Sequence, residues 1–210
     1  QDPFTNAFLD LGLSDSKKTL QRYAYEYITD AKKKDSKITF TTTKKTVEIS
    51  LQTHFPEDIL TIDWGDNTQL QSIVEANDCC KSCDHIYLDN LSSHTITIIG
   101  RIKSLDIHDM KVDSLNISQC TGLRHLYCSH NNLKELDLSN SRHLAVLRAV
   151  SNNFSEEQKE NILSHVPLGI GNAKKFIRQI TEDEIISVNN DDFYKAMYSS
   201  IRSKLFPDEQ

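Results

Sequence analysis

One 21-residue unit recurs three times in succession, over residues 102–122, 123–143 and from 144 onward. Its first position is Ile102, Leu123 and Leu144, and its fourth is Leu105, Leu126 and Leu147. Its sixth is Ile107, Cys128 and Ala149, and its eleventh is Val112, Leu133 and Phe154. Positions fourteen and sixteen match in the two complete copies, as Leu115 with Leu136 and Ile117 with Leu138. A register held this strictly predicts stacked units, because one copy alone cannot bury its apolar edge. The expectation is a short solenoid, an architecture suited to binding rather than to chemistry.

Outside the repeats the hydrophobic period changes twice. Leu20, Tyr23, Ala24, Tyr27, Ile28 and Ala31 form a stripe of helical spacing, with Ser14 or Asp15 as N-cap. From Lys37 the period is two: Ile38, Phe40 and Thr42, then Val47, Ile49 and Leu51, then Leu60, Ile62 and Trp64. Further short β-branched runs at 68–73, 86–88 and 95–99 complete the pattern of a small β-sandwich. After the third, partial copy, Ser155 and Gln158 have capping-box spacing and open a helix that Pro167 ends. A last helix is expected after Asp191 or Asp192, with Phe193, Met197, Ile201 and Leu205 on one face.

The expected fold class is therefore mixed α and β: a small β-sandwich followed by a short solenoid, with helical N- and C-terminal segments. Its segments are 1–36 helical, 37–100 sandwich, 101–154 repeats and 155–210 helical cap.

Two resemblances sharpen this reading. The segment IDWGDNT, followed by DHIYL and HTITIIG, resembles the W-x-F-G-D-G-T … H-x-Y … Y-x-V-x-L pattern of PKD-type immunoglobulin-like domains over 37–100. Asn67 stands where that pattern has a turn glycine, and Asn also reaches left-handed backbone. The central repeat, LRHLYCSHNNLKELDLSNSRH, resembles a leucine-rich repeat. Leu123, Leu126, Cys128, Ser129, Asn131, Leu133, Leu136, Asp137, Leu138 and Ser139 occupy its places. Together, over 37–154, they are similar to Bacteroides-type surface leucine-rich-repeat proteins with an N-terminal PKD-like sandwich. That likeness implies export to the cell surface or periplasm and a role in adhesion or protein binding. It also implies that Asn131 and Asn152, at position nine, bond the backbone of neighbouring turns, with Met110 in that place in the first copy.

The repeat geometry of that family turns the residues flanking positions four and six outward. Position five then forms a column of Asp106, Tyr127 and Arg148, flanked by His125 and His108. A Tyr beside Arg and His is the residue mix that interfaces favour. These five are the expected partner-binding residues, and the expected partner is a protein. The runner-up readings are a carbohydrate-binding or accessory domain of a surface glycan system and a structural spacer in a surface complex. Strand alternation places Trp64, the single tryptophan, inside, which weighs against sugar stacking.

Other chemistries find less support. There is no G-x-S-x-G, no H-E-x-x-H and no phosphate-cradling glycine loop, and the chain has six glycines in all. We assign no catalytic residue, no metal and no cofactor. Cys79, Cys80 and Cys83 contain a C-x-x-C with His85 close by, yet a closed zinc site needs about four ligands. Cys128 reads as a small buried hydrophobe, and five cysteines cannot all pair within one chain. Asp63, Asp66 and Asp84 form an acidic set in which Asp66 is expected to stabilise its own turn. The net charge of -6 and the scattered basic residues disfavour nucleic acid. No apolar run approaches the roughly 18 residues of a membrane span. The first residue is Gln, so the native start is expected upstream, with a signal peptide or a lipid-anchor cysteine as the two open alternatives.

Overall fold

The structure, a computed structural model, describes residues 26, 29–31, 36–55, 58–68, 71–74, 81–89, 92–165 and 187–189. Among the described residues eleven strands and one helix are delimited in full. They are β1 (Lys37–Thr42), β2 (Thr46–Thr53), β3 (Ile59–Asp63), β4 (Gln71–Val74), β5 (Lys81–Ile86) and β6 (His94–Ile99). Then come β7 (Ile102–Asp106), β8 (Val112–Asn116), β9 (His125–Tyr127), β10 (Val146–Arg148), α1 (Glu156–His165) and β11 (Ser187–Asn189).

Alternation decides which side of each strand is covered. Ile38, Phe40 and Thr42 in β1, and Val47, Ile49 and Leu51 in β2, are buried while their neighbours are more open. The strands make two sheets, one ordered β4-β3-β6-β1-β8 and the other β11-β10-β9-β7-β2-β5. Their inner faces share one apolar cluster, which joins Phe40, Ile49, Ile62 and Ile98 to Leu105, Leu126, Leu133, Leu136 and Ile162. Each such side chain contributes about 1.5–3 kcal/mol by leaving water.

This overturns the expected fold class. The protein is a mostly β, sandwich-like fold, and the repeats do not form a solenoid placed after a finished sandwich. Their strands are built into both sheets: β7 pairs antiparallel with β2, and β8 pairs antiparallel with β1. The physical reason is backbone satisfaction. Without β7 and β8, β2 and β1 would each leave a row of N–H and C=O groups unpaired. Gly100 lets the chain pass from β6 in one sheet to β7 in the other within two residues. Its φ is +138°, and a Cβ there would sit 2.6 Å from Leu60 Cδ2 and 2.9 Å from the Ile59 carbonyl oxygen.

The helical termini are corrected as well. Near the N-terminus the described helical residues are Glu26 and Thr29–Ala31, and the rest of the expected 1–36 helix lies outside the described residues. The expected last helix after Asp191 also lies outside them. Within the expected helical cap, Ser187–Asn189 is a strand, β11, antiparallel to β10.

The 21-residue register itself is visible in the pairing. Ser104, His125 and Val146 stand side by side across parallel β7, β9 and β10, as do Leu105, Leu126 and Leu147. Position eight, Asp109, His130 and Ser151, has φ between +53° and +56° in every copy. That tight left-handed turn strands backbone groups, and the asparagines at position nine of the second and third copies, Asn131 and Asn152, satisfy them. Asn131 Oδ1 accepts from the N–H groups of Met110 and Val112 at 3.0 and 2.9 Å, and Nδ2 donates to the Ile107 and Cys128 carbonyls at 2.8 and 3.0 Å. Asn152 repeats the pattern one unit later, donating to Cys128 and Ala149 at 2.9 and 3.0 Å and accepting from Leu133 N–H at 3.1 Å.

Helix α1 starts as its spacing predicts, with Ser155 Oγ accepting from Gln158 N–H at 3.1 Å. The reciprocal half of the capping box is replaced: Gln158 Nε2 donates instead to the Leu136 carbonyl at 3.2 Å. This bond and buried Ile162 seat α1 against the second repeat.

Candidate functional site

The expected partner-binding residues lie on the outer face of the six-stranded sheet. Asp106, Tyr127 and Arg148 end β7, β9 and β10 and stand in one straight row. The parallel ladder creates the row, because equal repeat positions fall into equal register. Arg148 is exposed, with its guanidinium carbon 5.6 Å from the centre of the half-buried Tyr127 ring. That distance suits a cation–π contact, worth about 0.5–1 kcal/mol at an exposed site. Asp106 is half-buried, and its Oδ1 accepts from the backbone N–H of His108 at 3.0 Å and from the His108 ring Nδ1 at 2.7 Å. The row continues through Ser50 in β2 to Ser82 in β5.

His125 stands one row away, beside Ser104 and Val146 and in line with Gln52. Ser104, Val146 and Gln52 are buried there, so His125 belongs to a more enclosed part of the face than Arg148 does. Tyr127 packs against buried Ala145 and Val146. The structure thus joins Asp106 to His108 and Tyr127 to Arg148.

The second constellation gathers around the turn after β3. Trp64 is 3% exposed, and its ring stacks on His85 with centroids 4.8 Å apart. Tyr87 meets His85 edge-on at 4.7 Å and stacks on His94 at 3.5 Å. The Tyr87 hydroxyl donates to the Trp64 carbonyl at 2.8 Å. Asp66 Oδ2 accepts from His85 Nε2 at 2.7 Å, while Oδ1 accepts from the Thr68 hydroxyl at 2.6 Å and its N–H at 3.1 Å. Burial works against the Asp66 carboxylate, but the bonds from Thr68 and His85 outweigh it and hold its pKa at about 2. The expected turn role of Asp66 is present, and its bond to His85 is an addition that sequence spacing did not reveal.

The cysteines do not assemble a metal centre among the described residues. Cys79 and Cys80 lie outside them. Cys83 is buried as a free thiol, pushed up to about 11 by burial, and Cys120 and Cys128 are pushed up to about 12 by the same cause. No group of three or more His, Cys, Asp or Glu in the described residues could hold a metal ion, so Asp63, Asp66 and Asp84 do not form one there. Among the same residues no helix is long and apolar enough to cross a membrane.

Two further polar sites escaped sequence reasoning. Asp30, 2% exposed, accepts from Arg142 Nε and Nη2 at 3.0 and 2.8 Å and from His143 Nε2 at 2.9 Å. His54 Nε2 donates to the Gly122 carbonyl at 2.9 Å. Burial lowers the pKa of His143 to about 4, against the pull of Asp30, and that of His54 to about 3. No local pattern could have paired residues this far apart in the chain.

Comparison of the chain with protein-family models, curated proteins and solved structures returns no match.

Proposed function

We propose that this protein is a non-catalytic interaction module that binds a protein partner through the outer face of its six-stranded sheet. The observation that carries the reading is the in-register row of Asp106, Tyr127 and Arg148, with Arg148 laid over the Tyr127 ring. A row of acid, aromatic and guanidinium on a rigid parallel ladder offers a partner both anchors and charge in fixed geometry. The other reactive groups are occupied differently. The three described thiols are protonated at neutral pH, and Asp66 and His85 are spent on one another inside a stack. A surface or periplasmic location, and adhesion as the wider role, belong to the same proposal and rest on the resemblance to Bacteroides-type surface proteins. Sugar binding is the weaker reading, because Trp64 is buried against His85 and offers no stacking platform.

The test is photo-crosslinking from Arg148 in extracts and on cells of the source organism. It is repeated from exposed His108, with and without the triple replacement Asp106→Lys, Tyr127→Ser and Arg148→Glu, so that the crosslinker stands at the same position in both chains. The reading expects a crosslinked polypeptide that disappears in the triple variant while the thermal transition stays in place. An adduct that persists unchanged in the triple variant contradicts it, and a glycan in place of a polypeptide favours the second reading.

A further inference from the structure

The six-stranded sheet ends on β5, and among the described residues no strand pairs with the outer edge of β5. An unpaired edge presents N–H and C=O groups to any incoming strand, and proteins usually protect such edges. Here the side chains beside the edge invite one. Ile86 closes β5 with 58% of its surface exposed, and Leu88, two residues on, is 91% exposed. On the outer face, Asp84 of β5 stands directly opposite Glu48 of β2. Like charges facing each other across a ladder are destabilising. Neither carboxylate has an ion pair among the described residues, and Glu48 accepts only a hydrogen bond from Ser82 Oγ at 3.2 Å.

We propose that β5 is a docking edge for an extended basic segment of a partner protein. The segment adds a further strand to the sheet, lays cationic side chains along the outer face beside the Glu48–Asp84 pair, and covers Ile86 with their aliphatic stems. Main-chain hydrogen bonds give the affinity in this mode, and alternate side chains give the selectivity. Charge chooses the occupant. A second copy pairing antiparallel through the same edge would bring its own Asp84 and Glu48 beside the first pair and add to the repulsion. A basic segment converts that repulsion into attraction. The edge is two strands away from β7, so it stands or falls separately from the Asp106–Tyr127–Arg148 row.

The probe is a blocked synthetic decapeptide of alternating Lys and Val, read by residue-resolved amide hydrogen exchange on the full chain. Its controls are a Glu–Val counterpart and a Lys–Val peptide N-methylated at every residue. At millimolar Lys–Val peptide, outward amides within Lys81–Ile86 are expected to exchange roughly tenfold more slowly. Both controls are expected to leave them unchanged, and Asp84→Lys is expected to weaken the effect roughly tenfold. Unchanged β5 exchange at millimolar Lys–Val peptide overturns the proposal, and this reading needs no variant to fold. Slowing that survives N-methylation or charge reversal also overturns it. So does slowing that grows with protein concentration in the absence of peptide, which would assign the edge to a second copy.

Discussion

The six-stranded sheet is built from two unlike halves. On one flank β7, β9 and β10 run parallel, and on the other β7, β2 and β5 run antiparallel. The parallel half solves its buried polar problem by repetition, with an asparagine in the second and third units bonding its own turn and the preceding one. The antiparallel half relies on single contacts with the facing sheet, in which His85 of β5 and Tyr87 just after it meet Trp64, Asp66 and His94. Repetition makes the parallel half readable and uniform, whereas the antiparallel half is held by contacts that no period announces. The outer faces differ in the same sense. Arg148 and His108 have close partners on one flank, while Glu48 and Asp84 face each other on the other.

The largest expected effect comes from breaking the repeated device. Asn131→Ala leaves the N–H groups of Met110 and Val112 and the Ile107 and Cys128 carbonyls without their partner. We expect a loss of about 3 kcal/mol, since each unsatisfied buried group costs about 1–3 kcal/mol and some relax toward water. Asn152→Ala, at a half-buried site, is expected to cost about half as much. Urea unfolding of the two variants measures the difference, and equal losses would break the graded picture.

Acid attacks the seams between the halves and their surroundings. His54 ties the end of β2 to Gly122, and His143 is buried on Asp30. Both imidazoles have folded pKa values below the ordinary 6.5, at about 3 and about 4, so the unfolded chain binds protons more readily. Their contribution is complete above about pH 6.5 and is lost as pH falls toward about 4 and then 3. We expect on the order of 3 kcal/mol between them. The check is urea midpoints at pH 7, 5 and 4 for the parent and for His143→Gln, in which the slope becomes shallower.

A smaller effect is expected from the single contacts of the antiparallel half. Asp66→Asn removes a carboxylate whose pKa is depressed to about 2. That contribution is present above about pH 4 and fades as pH falls through about 2. The expected loss at pH 7 is about 1 kcal/mol after allowing for solvent screening. The smallest effect is a gain. Ser151→Gly relieves a φ of +55° and is expected to add about 0.5 kcal/mol, readable as a small rise in Tm.

These contrasts mark what the chain discloses. The period of 21 announces which side chains face inward, and Leu105, Leu126, Leu133 and Leu136 are core as that period implies. The aspartate turn at Asp66 and the inward Trp64 follow equally from local pattern. Strand partnership does not. The period of 21 marks Val112 and Leu115 as apolar positions, but nothing in Val112–Asn116 says that the neighbour of β8 is β1 in the opposite sheet. The solenoid expectation failed at that point, because the repeats close a sheet that the earlier strands leave open. The Asp106–Tyr127–Arg148 row was legible because equal positions fall into equal register. The Glu48–Asp84 pair was not, because antiparallel register depends on the turns and on long-range packing.

The central claim is that residues before and after Gly100 form one cooperative structure with shared sheets. Trp64 is the only tryptophan and lies in the part before Gly100, whereas Asn131 lies in the repeats. The direct measurement is urea unfolding followed by Trp64 fluorescence, in the parent and in Asn131→Ala. The shared-sheet fold predicts that the tryptophan transition moves to lower urea together with the far-UV circular dichroism transition. A tryptophan transition that stays in place while the dichroism signal splits in two would contradict it, because 37–100 would then fold without the repeats.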